Sequence, residues 1–147
     1  MSKTLFYRLF KAGEVPKKLL PMIEREGILF QEEGIGSVIH FRKFRAPGKY
    51  YGHKVNWGSG SIVLTKEHLL AFRYSTSTIG LAWSDVKTRG LACYVDQQAR
   101  LCFAYDAANF NEKWSGNVEV KYSSAQPYKI LRMIEEQINS TSRGQPA

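Results

Sequence analysis

The segment from Ser37 to Tyr122 consists of short strand-like runs separated by residues that favour turns. Short strands with tight turns between them predict an antiparallel sheet, because parallel strands need long crossover connections. The predicted strands cover residues 37–44, 50–57, 60–65, 68–74, 78–83, 89–95, 100–106 and 117–122. The sequence therefore predicts a mainly β (α+β) fold built on a bent antiparallel sheet or barrel.

The Pro47-Gly48 turn predicts the pairing of the first two strands. Its residues suit the central positions of a type II turn, where Gly readily adopts the positive φ. This turn places Arg45 opposite Tyr50 and Arg42 opposite His53. The first strands therefore form a hairpin that carries both basic and aromatic side chains.

The residues before the first strand predict helical structure. An apolar stripe with helical spacing is formed by Leu5, Phe6, Leu9 and Phe10. A second, short helix is predicted from Pro21 to Glu26, where Gly27 stops it. Residues 1–34 are accordingly predicted to form a helical extension at the amino terminus.

A carboxy-terminal helix is predicted to begin at Pro127, after Ser123 and Ser124 as capping residues. One side of this helix is apolar and carries Ile130, Leu131, Ile134 and Ile138. Such a stripe must cover apolar surface, and the open end of a bent sheet offers it. The predicted domains are thus the extension 1–34, the barrel with its capping helix 35–139, and a disordered tail 140–147.

This order of elements resembles that of a PH-like domain. The block Gly60–Phe72, GSIVLTKEHLLAF, is similar to a hairpin of bacterial PH and GRAM-type domains, with His68 where Arg is more usual. The strings FRAPGKY, GSIVLT and WSGNVEV also resemble a group of uncharacterised bacterial proteins. PH domains that bind inositol phosphates carry basic residues on both strands of the first hairpin, so the resemblance implies a ligand site there. Strand order alone also fits another small barrel, such as an OB-fold.

The net charge of +8 is concentrated around this hairpin. Six basic residues and no acidic residue lie between Gly34 and Lys66, which predicts attraction of phosphate groups, acidic lipids or an acidic partner. The predicted ligand-binding residues are Arg42, Lys43, Arg45, Lys49, Lys54, Tyr50, Tyr51 and Trp57. Two alternatives stay open: a solvated face that serves solubility, and a surface on which nucleic-acid bases stack.

No catalytic set, metal site or cofactor is predicted. His40 and His53 lie on neighbouring strands, but the expected register places His40 opposite Val55 rather than His53. The acidic residues at turns, Asp85, Asp96 and Asp106, are expected to cap backbone amides. No pair of carboxylates has a spacing that indicates acid–base chemistry.

The two cysteines are expected to face each other across a hairpin. A turn centred on Gln97-Gln98 pairs Val95 with Arg100 and places Cys93 directly across from Cys102. In a reducing cytoplasm we expect two small buried thiols, with a disulfide as the alternative.

The function that these features predict is a non-catalytic PH-like interaction module. Its expected partner is an anionic protein or lipid surface, and the alternatives are a small barrel that binds single-stranded nucleic acid and a small enzyme of unknown reaction. The sequence has no transmembrane-length apolar run and no secretory signal, so a cytoplasmic location is expected. An exposed edge strand near Phe41 or Trp57 predicts that copies can associate.

Overall fold

A computed structural model describes residues 15–74, 76–110 and 112–144. Two α-helices flank the strands, α1 (Leu20–Glu26) before them and α2 (Pro127–Gly144) after them. The strands are β1 (Ile28–Ala46), β2 (Lys49–Thr65), β3 (His68–Arg73), β4 (Thr76–Ala82), β5 (Ala92–Val95), β6 (Leu101–Asp106) and β7 (Ser115–Tyr122). Neither helix of this described part has the length and apolar character needed to cross a membrane.

The seven strands form one antiparallel sheet in the order β4-β3-β2-β1-β7-β6-β5. The long strand β1 lies at its centre, pairing with β2 on one side and, from Ser37 to Arg45, with β7 on the other. The sheet curls into a half-barrel around the main core, against which Ile130 and Ile134 of α2 are almost fully buried. The predicted mainly-β fold with a carboxy-terminal helix is confirmed.

Strand β3 and the second half of β2, from Ser59 to Thr65, are buried on both faces. Ile62 and Leu64 belong to the core inside the half-barrel, whereas Val63 belongs to a second core with Ile23 of α1. Burial on both faces explains the unbroken apolar runs of these strands, because neither face needs polar residues for contact with water. The helix predicted from Pro21 to Glu26 thus covers the outer face of the sheet.

Hydrogen bonds at the end of α1 hold it to the sheet. The Glu26 carboxylate accepts from Thr65 Oγ1 at 2.6 Å and lies 2.8 Å from His68 Nδ1. Burial acts to raise the pKa of Glu26, but these hydrogen bonds and the nearby charges of His68 and Arg25 outweigh it, and that pKa is lowered.

Strands β1 and β2 are longer than the sequence pattern predicted. β1 begins at Ile28 rather than near residue 37, and β2 runs unbroken through Gly58 and Gly60. A Cβ at Gly60 would lie 2.3 Å from the Phe72 carbonyl oxygen, so Gly here permits close approach of β3 and is not a strand break.

Near the carboxy terminus the structure differs from the prediction, and the first predicted helix lies outside the described residues. Helix α2 continues to Gly144, so the first residues of the segment predicted as a disordered tail are helical. The apolar stripe predicted around Leu5 and Phe10 lies outside the described residues. The domain boundary at residues 34 and 35 falls within β1.

The expected pairing of Cys93 with Cys102 is wrong by one residue. Cys93 pairs with Phe103, and Cys102 pairs with Tyr94. The reason is Ala99, whose φ of 59° adds a residue to the turn, so that Val95 pairs with Leu101 instead of Arg100. Both thiols are free, and Cys102 is buried whereas Cys93 is partly exposed.

Candidate ligand-binding site at the mouth of the half-barrel

The hairpin of β1 and β2 has the predicted register but divides the predicted site residues between two faces. Arg45 pairs with Tyr50 and Arg42 with His53, as the Pro47-Gly48 turn indicates. Lys49, Tyr51 and Lys54 line a cavity inside the half-barrel. Four other residues are exposed and lie outside this lining, on the outer face of the hairpin: Arg42, Arg45, Tyr50 and Trp57. The predicted residues therefore form two surfaces and not one.

A bulge at Lys43 directs the last residues of β1 to their faces. Lys43 has a φ of 51°, and the register with β7 shifts between Arg42 and Arg45. Beyond the bulge Phe44 points inward, where it is buried, and Arg45 is exposed. Gly116 of β7 permits this bulge, because its φ is 99° and a Cβ there would lie 2.3 Å from the Lys43 carbonyl oxygen.

The inward face of the hairpin borders a cavity of about 570 Å³, which we call the mouth cavity. The turn between β3 and β4 forms a second side, and Tyr105, Trp114 and Val118 complete the wall. Its described lining residues are Ile39, Phe41, Phe44, Ala46, Pro47, Lys49, Tyr51, Lys54, Asn56, Arg73, Tyr74, Thr76, Ser77, Thr78, Tyr105, Trp114 and Val118. Sites for small molecules commonly occupy about 300–1,000 Å³, so the mouth cavity has a suitable size.

Aromatic rings in mutual contact line part of the mouth cavity. The Phe44 ring lies 5.0 Å from Phe41, 5.8 Å from Tyr51 and 5.8 Å from Trp114, measured between ring centroids. Its contact with Tyr51 is stacked and that with Trp114 is edge-on, two arrangements favoured by the ring quadrupoles. These contacts hold the rings as a fixed apolar surface.

Three cations border this surface, and no described carboxylate forms an ion pair with any of them. Lys54 Nζ lies 4.2 Å from the centroid of the Tyr51 ring, a cation–π contact. Arg73 donates to Ser37 Oγ at 3.2 Å and to the Asn56 carbonyl oxygen at 3.0 Å. Burial lowers the pKa of Arg73, although an arginine keeps its charge at neutral pH. Among the described residues that line the cavity with Lys49, Lys54 and Arg73, none is acidic.

The outer face of the hairpin is exposed and has a different chemistry. The Arg45 guanidinium lies 4.9 Å from the centroid of the Tyr50 ring, and Tyr50 and Trp57 are 58% and 73% exposed. Arg42 borders a separate groove of about 370 Å³ that also contains Asp106 and Glu119. The outer surface thus mixes cations, exposed aromatics and acids, whereas the described lining of the mouth cavity has cations and aromatics but no acid.

His40 also belongs to the outer groove. Burial and the neighbouring Lys121 charge lower its pKa, partly opposed by the Glu119 carboxylate. It pairs with Val55, as predicted, and so does not face His53.

Arg73 and Trp114 are the site residues that the sequence did not reveal. Arg73 ends β3 outside the basic window, and only the sheet register brings it beside the hairpin. Gly58 is the sequence signal that could have indicated the position of Arg73. A Cβ at Gly58 would lie 2.9 Å from Arg73 Nη2 and 2.8 Å from Tyr74 Cε2. Glycines within a strand often mark such a close approach.

A group of potential metal ligands lies elsewhere among the described residues. The ligand atoms of Glu26, Glu67 and His68 all lie within 4.8 Å of one another. The contact between Glu26 and His68 already holds α1 to the sheet and accounts for the closeness of these two side chains. The group therefore has a structural explanation that needs no metal.

Comparisons with known proteins do not place the chain in a family. No family model matches it, and no curated protein matches it. One similar solved structure is a chain of "The 8S snRNP Assembly Intermediate", with 10% sequence identity and a TM-score of 0.38. The similarity covers 82% of this chain and 86% of that chain.

Proposed function

We propose that this protein is a non-catalytic, PH-like interaction module that binds an anionic group of its partner at the mouth of the half-barrel. The observation that carries the proposal is the convergence of Lys49, Lys54 and Arg73 on one cavity whose described lining contains no carboxylate. Unpaired cations in a concave surface concentrate anions near it. The partner is an acidic protein or a lipid head group, as the sequence predicts, and the expected place of action stays the cytoplasm.

The PH-like assignment has two supports. The hairpin sequence from Gly60 to Phe72 resembles those domains, and the order of a curled antiparallel sheet followed by one helix agrees with their arrangement. The proposal assigns the mouth cavity a binding role and no reaction, because its described lining brings cations and aromatic rings together without a carboxylate, imidazole or thiol.

Two charge-matched variants test the proposal. Lys49→Ala with Lys54→Ala removes two cations from the cavity, and Arg42→Ala with Arg45→Ala removes two from the outer face. The probes are phosphatidylcholine vesicles with and without phosphatidylserine, in flotation, and immobilised polyglutamate, in a pull-down. We expect the lysine pair to weaken retention about tenfold and to reduce its salt dependence, while the arginine pair has a much smaller effect.

Retention on neither probe, or retention that is insensitive to both the lysine pair and salt, would show the proposal to be wrong. If the arginine pair loses more retention than the lysine pair, the anion binds on the outer face and not in the mouth cavity.

The second candidate is binding of single-stranded nucleic acid on that outer face. Its specific support is the exposure of Tyr50 and Trp57 beside Arg45, an arrangement on which bases stack over cations. This function predicts that an immobilised oligonucleotide retains the wild-type protein at low salt. The Trp57→Ala variant and the arginine pair should then be retained much more weakly. Absence of retention at low salt eliminates it.

A further inference from the structure

The wall of the mouth cavity is more apolar than recognition of a small polar anion requires. The large apolar and aromatic side chains of the described lining include Ile39, Phe41, Phe44, Tyr51, Tyr105, Trp114 and Val118. Tyr105 donates its hydroxyl hydrogen to the Thr78 carbonyl oxygen at 3.3 Å, so this ring presents mainly its apolar body. Burial raises the pKa of Tyr105 to about 12, so this side chain stays neutral at physiological pH.

We propose that the ligand of the mouth cavity is a single-chain amphiphile with an anionic head, its apolar chain lying among the aromatic rings and its head among Lys49, Lys54 and Arg73. The shared chemistry is a carboxylate or phosphate on a hydrocarbon chain, as in a fatty acid or an alkyl phosphate. This inference rests on the proposed function, because it uses the same cations, and adds the class of ligand.

The cations and the apolar rings of the mouth cavity together favour an amphiphilic anion over other ligands. A purely polar anion satisfies the cations but leaves the partly exposed rings of Phe41, Tyr51 and Trp114 in water. A neutral apolar molecule covers the rings but leaves Arg73, which is already partly desolvated, without a counter-charge. An amphiphilic anion satisfies both, and the cavity of about 570 Å³ is large enough for a ligand of small-molecule size.

Trp114 provides a direct signal for occupancy. It is 36% exposed at the cavity wall, whereas Trp83 is 4% exposed and donates from Nε1 to the Thr65 carbonyl oxygen. The remaining tryptophan, Trp57, is 73% exposed on the outer face. In a Trp57→Phe background, a change in tryptophan emission on titration therefore reports mainly on Trp114.

The titration uses three probes below the concentration at which they aggregate: decanoate, 1-decanol and acetate. Decanoate has the chain and the charge, decanol has the chain alone, and acetate has the charge alone. We expect a saturable blue shift with decanoate, binding at least tenfold weaker with decanol, and no shift with acetate. Calorimetry with the same protein gives the stoichiometry, expected to be one site per chain.

Variants of the same background connect the signal to the cavity. The Lys49→Ala, Lys54→Ala pair should reduce decanoate affinity about tenfold and leave decanol affinity unchanged, and the Arg42→Ala, Arg45→Ala pair should change neither. Ala46→Phe places a ring at the cavity wall and should weaken both chain-bearing probes. Unfolding midpoints within the wild-type range confirm that each variant is folded.

The outcomes separate this inference from the proposed function. If decanoate produces no shift while vesicle or polyglutamate retention still depends on the lysine pair, the amphiphile inference is overturned and the anion-binding function stands. If decanoate and decanol bind equally and the lysine pair has no effect, the cavity binds apolar chains and the anion-binding function fails. If phosphatidylserine vesicles bind but monomeric decanoate neither binds nor competes, the ligand is a bilayer surface and the inference is wrong.

Discussion

A single carboxylate, that of Asp96, organises the turn between β5 and β6. Its oxygens accept hydrogen bonds from the backbone amides of Gln98, at 3.0 Å, and Arg100, at 2.9 Å, and from Arg100 Nε at 2.9 Å. Burial acts to raise the pKa of Asp96, but these hydrogen bonds and the Arg100 charge outweigh it and lower that pKa to about 2 from its ordinary 3.8. The folded state therefore favours the ionised carboxylate.

Asp96→Asn should lower the free energy of unfolding by about 1 kcal/mol at neutral pH, because the stabilising charge is lost and solvent around the turn screens part of its effect. A lowered folded-state pKa contributes stability above pH 3.8, which is lost as the pH falls towards about 2. Denaturant unfolding at pH 7 and across pH 2–4 measures both effects, and the variant should have the flatter dependence in the acid range.

Asp106→Asn is the matched control, since the described hydrogen bond that the Asp106 side chain accepts, from Ala108 N at 2.9 Å, can also be accepted by Asn. Equal acid sensitivity of Asp96→Asn and the wild type would contradict the expected linkage.

The role of an aspartate in a turn was predictable from the sequence, because it depends on residues close to it in the chain. Asp85, Asp96 and Asp106 were expected to cap backbone amides, and each does so. Arg73 was not found, because its position in the mouth cavity depends on the pairing of β2 with β3 and on Gly58, which lies distant in sequence. Local chemistry is visible in one sequence, and chemistry assembled across a sheet is not.

At the scale of elements, the bulge of β1 decides which side chains the hairpin sends into the mouth cavity. Lys43 occupies the bulge, and its carbonyl lies against Gly116 of β7. Because the bulge shifts the in–out order of side chains along β1, Phe44 points inward and Arg45 points outward. The bulge therefore connects the β1–β7 pairing with the set of side chains that line the mouth cavity.

Gly116→Ala should destabilise the protein by about 3 kcal/mol or more, because the added Cβ is strained at φ 99° and would lie 2.3 Å from the Lys43 carbonyl oxygen. Gly48→Ala is the control: its φ of 75° brings the same kind of strain, but no atom lies within 4 Å of the added Cβ. We expect a cost of about 1 kcal/mol there. Denaturant unfolding of both variants measures the difference, and equal costs would contradict a steric role for Gly116.

Turn chemistry explains which element pairings were predictable. Pro47-Gly48 forms a two-residue connection, Gly48 has the expected positive φ, and the register that follows from it is confirmed. In the turn after Asp96, Ala99 has a positive φ, which alanine rarely adopts and which the sequence therefore does not predict. The pairing of Cys93 was therefore wrong, although both strands were found in nearly the right places.

At the scale of the whole molecule, α2 completes the core of the half-barrel. Its buried residues Ile130 and Ile134 belong to the same core as residues of β3, β4 and β6, and the helix itself contacts β5 and β6. The start of the helix is also held to β1, because Glu32 accepts from Ser124 Oγ at 2.5 Å and from Ala125 N at 3.1 Å. The predicted capping role of this helix follows from its apolar stripe, which a single sequence displays clearly.

A chain that ends at Ser124 should fail to fold, since each buried isoleucine contributes about 3 kcal/mol and small domains have only about 5–15 kcal/mol of stability. A chain that ends at Ser140 keeps both isoleucines and should unfold within a few degrees of the full-length protein. Circular dichroism melting compares the two. A cooperative transition in the shorter chain would show that the sheet is stable without α2.

The sheet order has a further consequence at the tip of the hairpin. From Lys49 to Val55, β2 has β1 on one side and no strand on the other within the described structure, so its outer backbone groups are open to a strand from another molecule. Charged side chains such as Lys49 and Lys54 discourage that pairing by electrostatic repulsion between copies. Under the proposed function, the same two lysines attract the ligand and oppose strand pairing between copies, so replacing them would weaken both properties together.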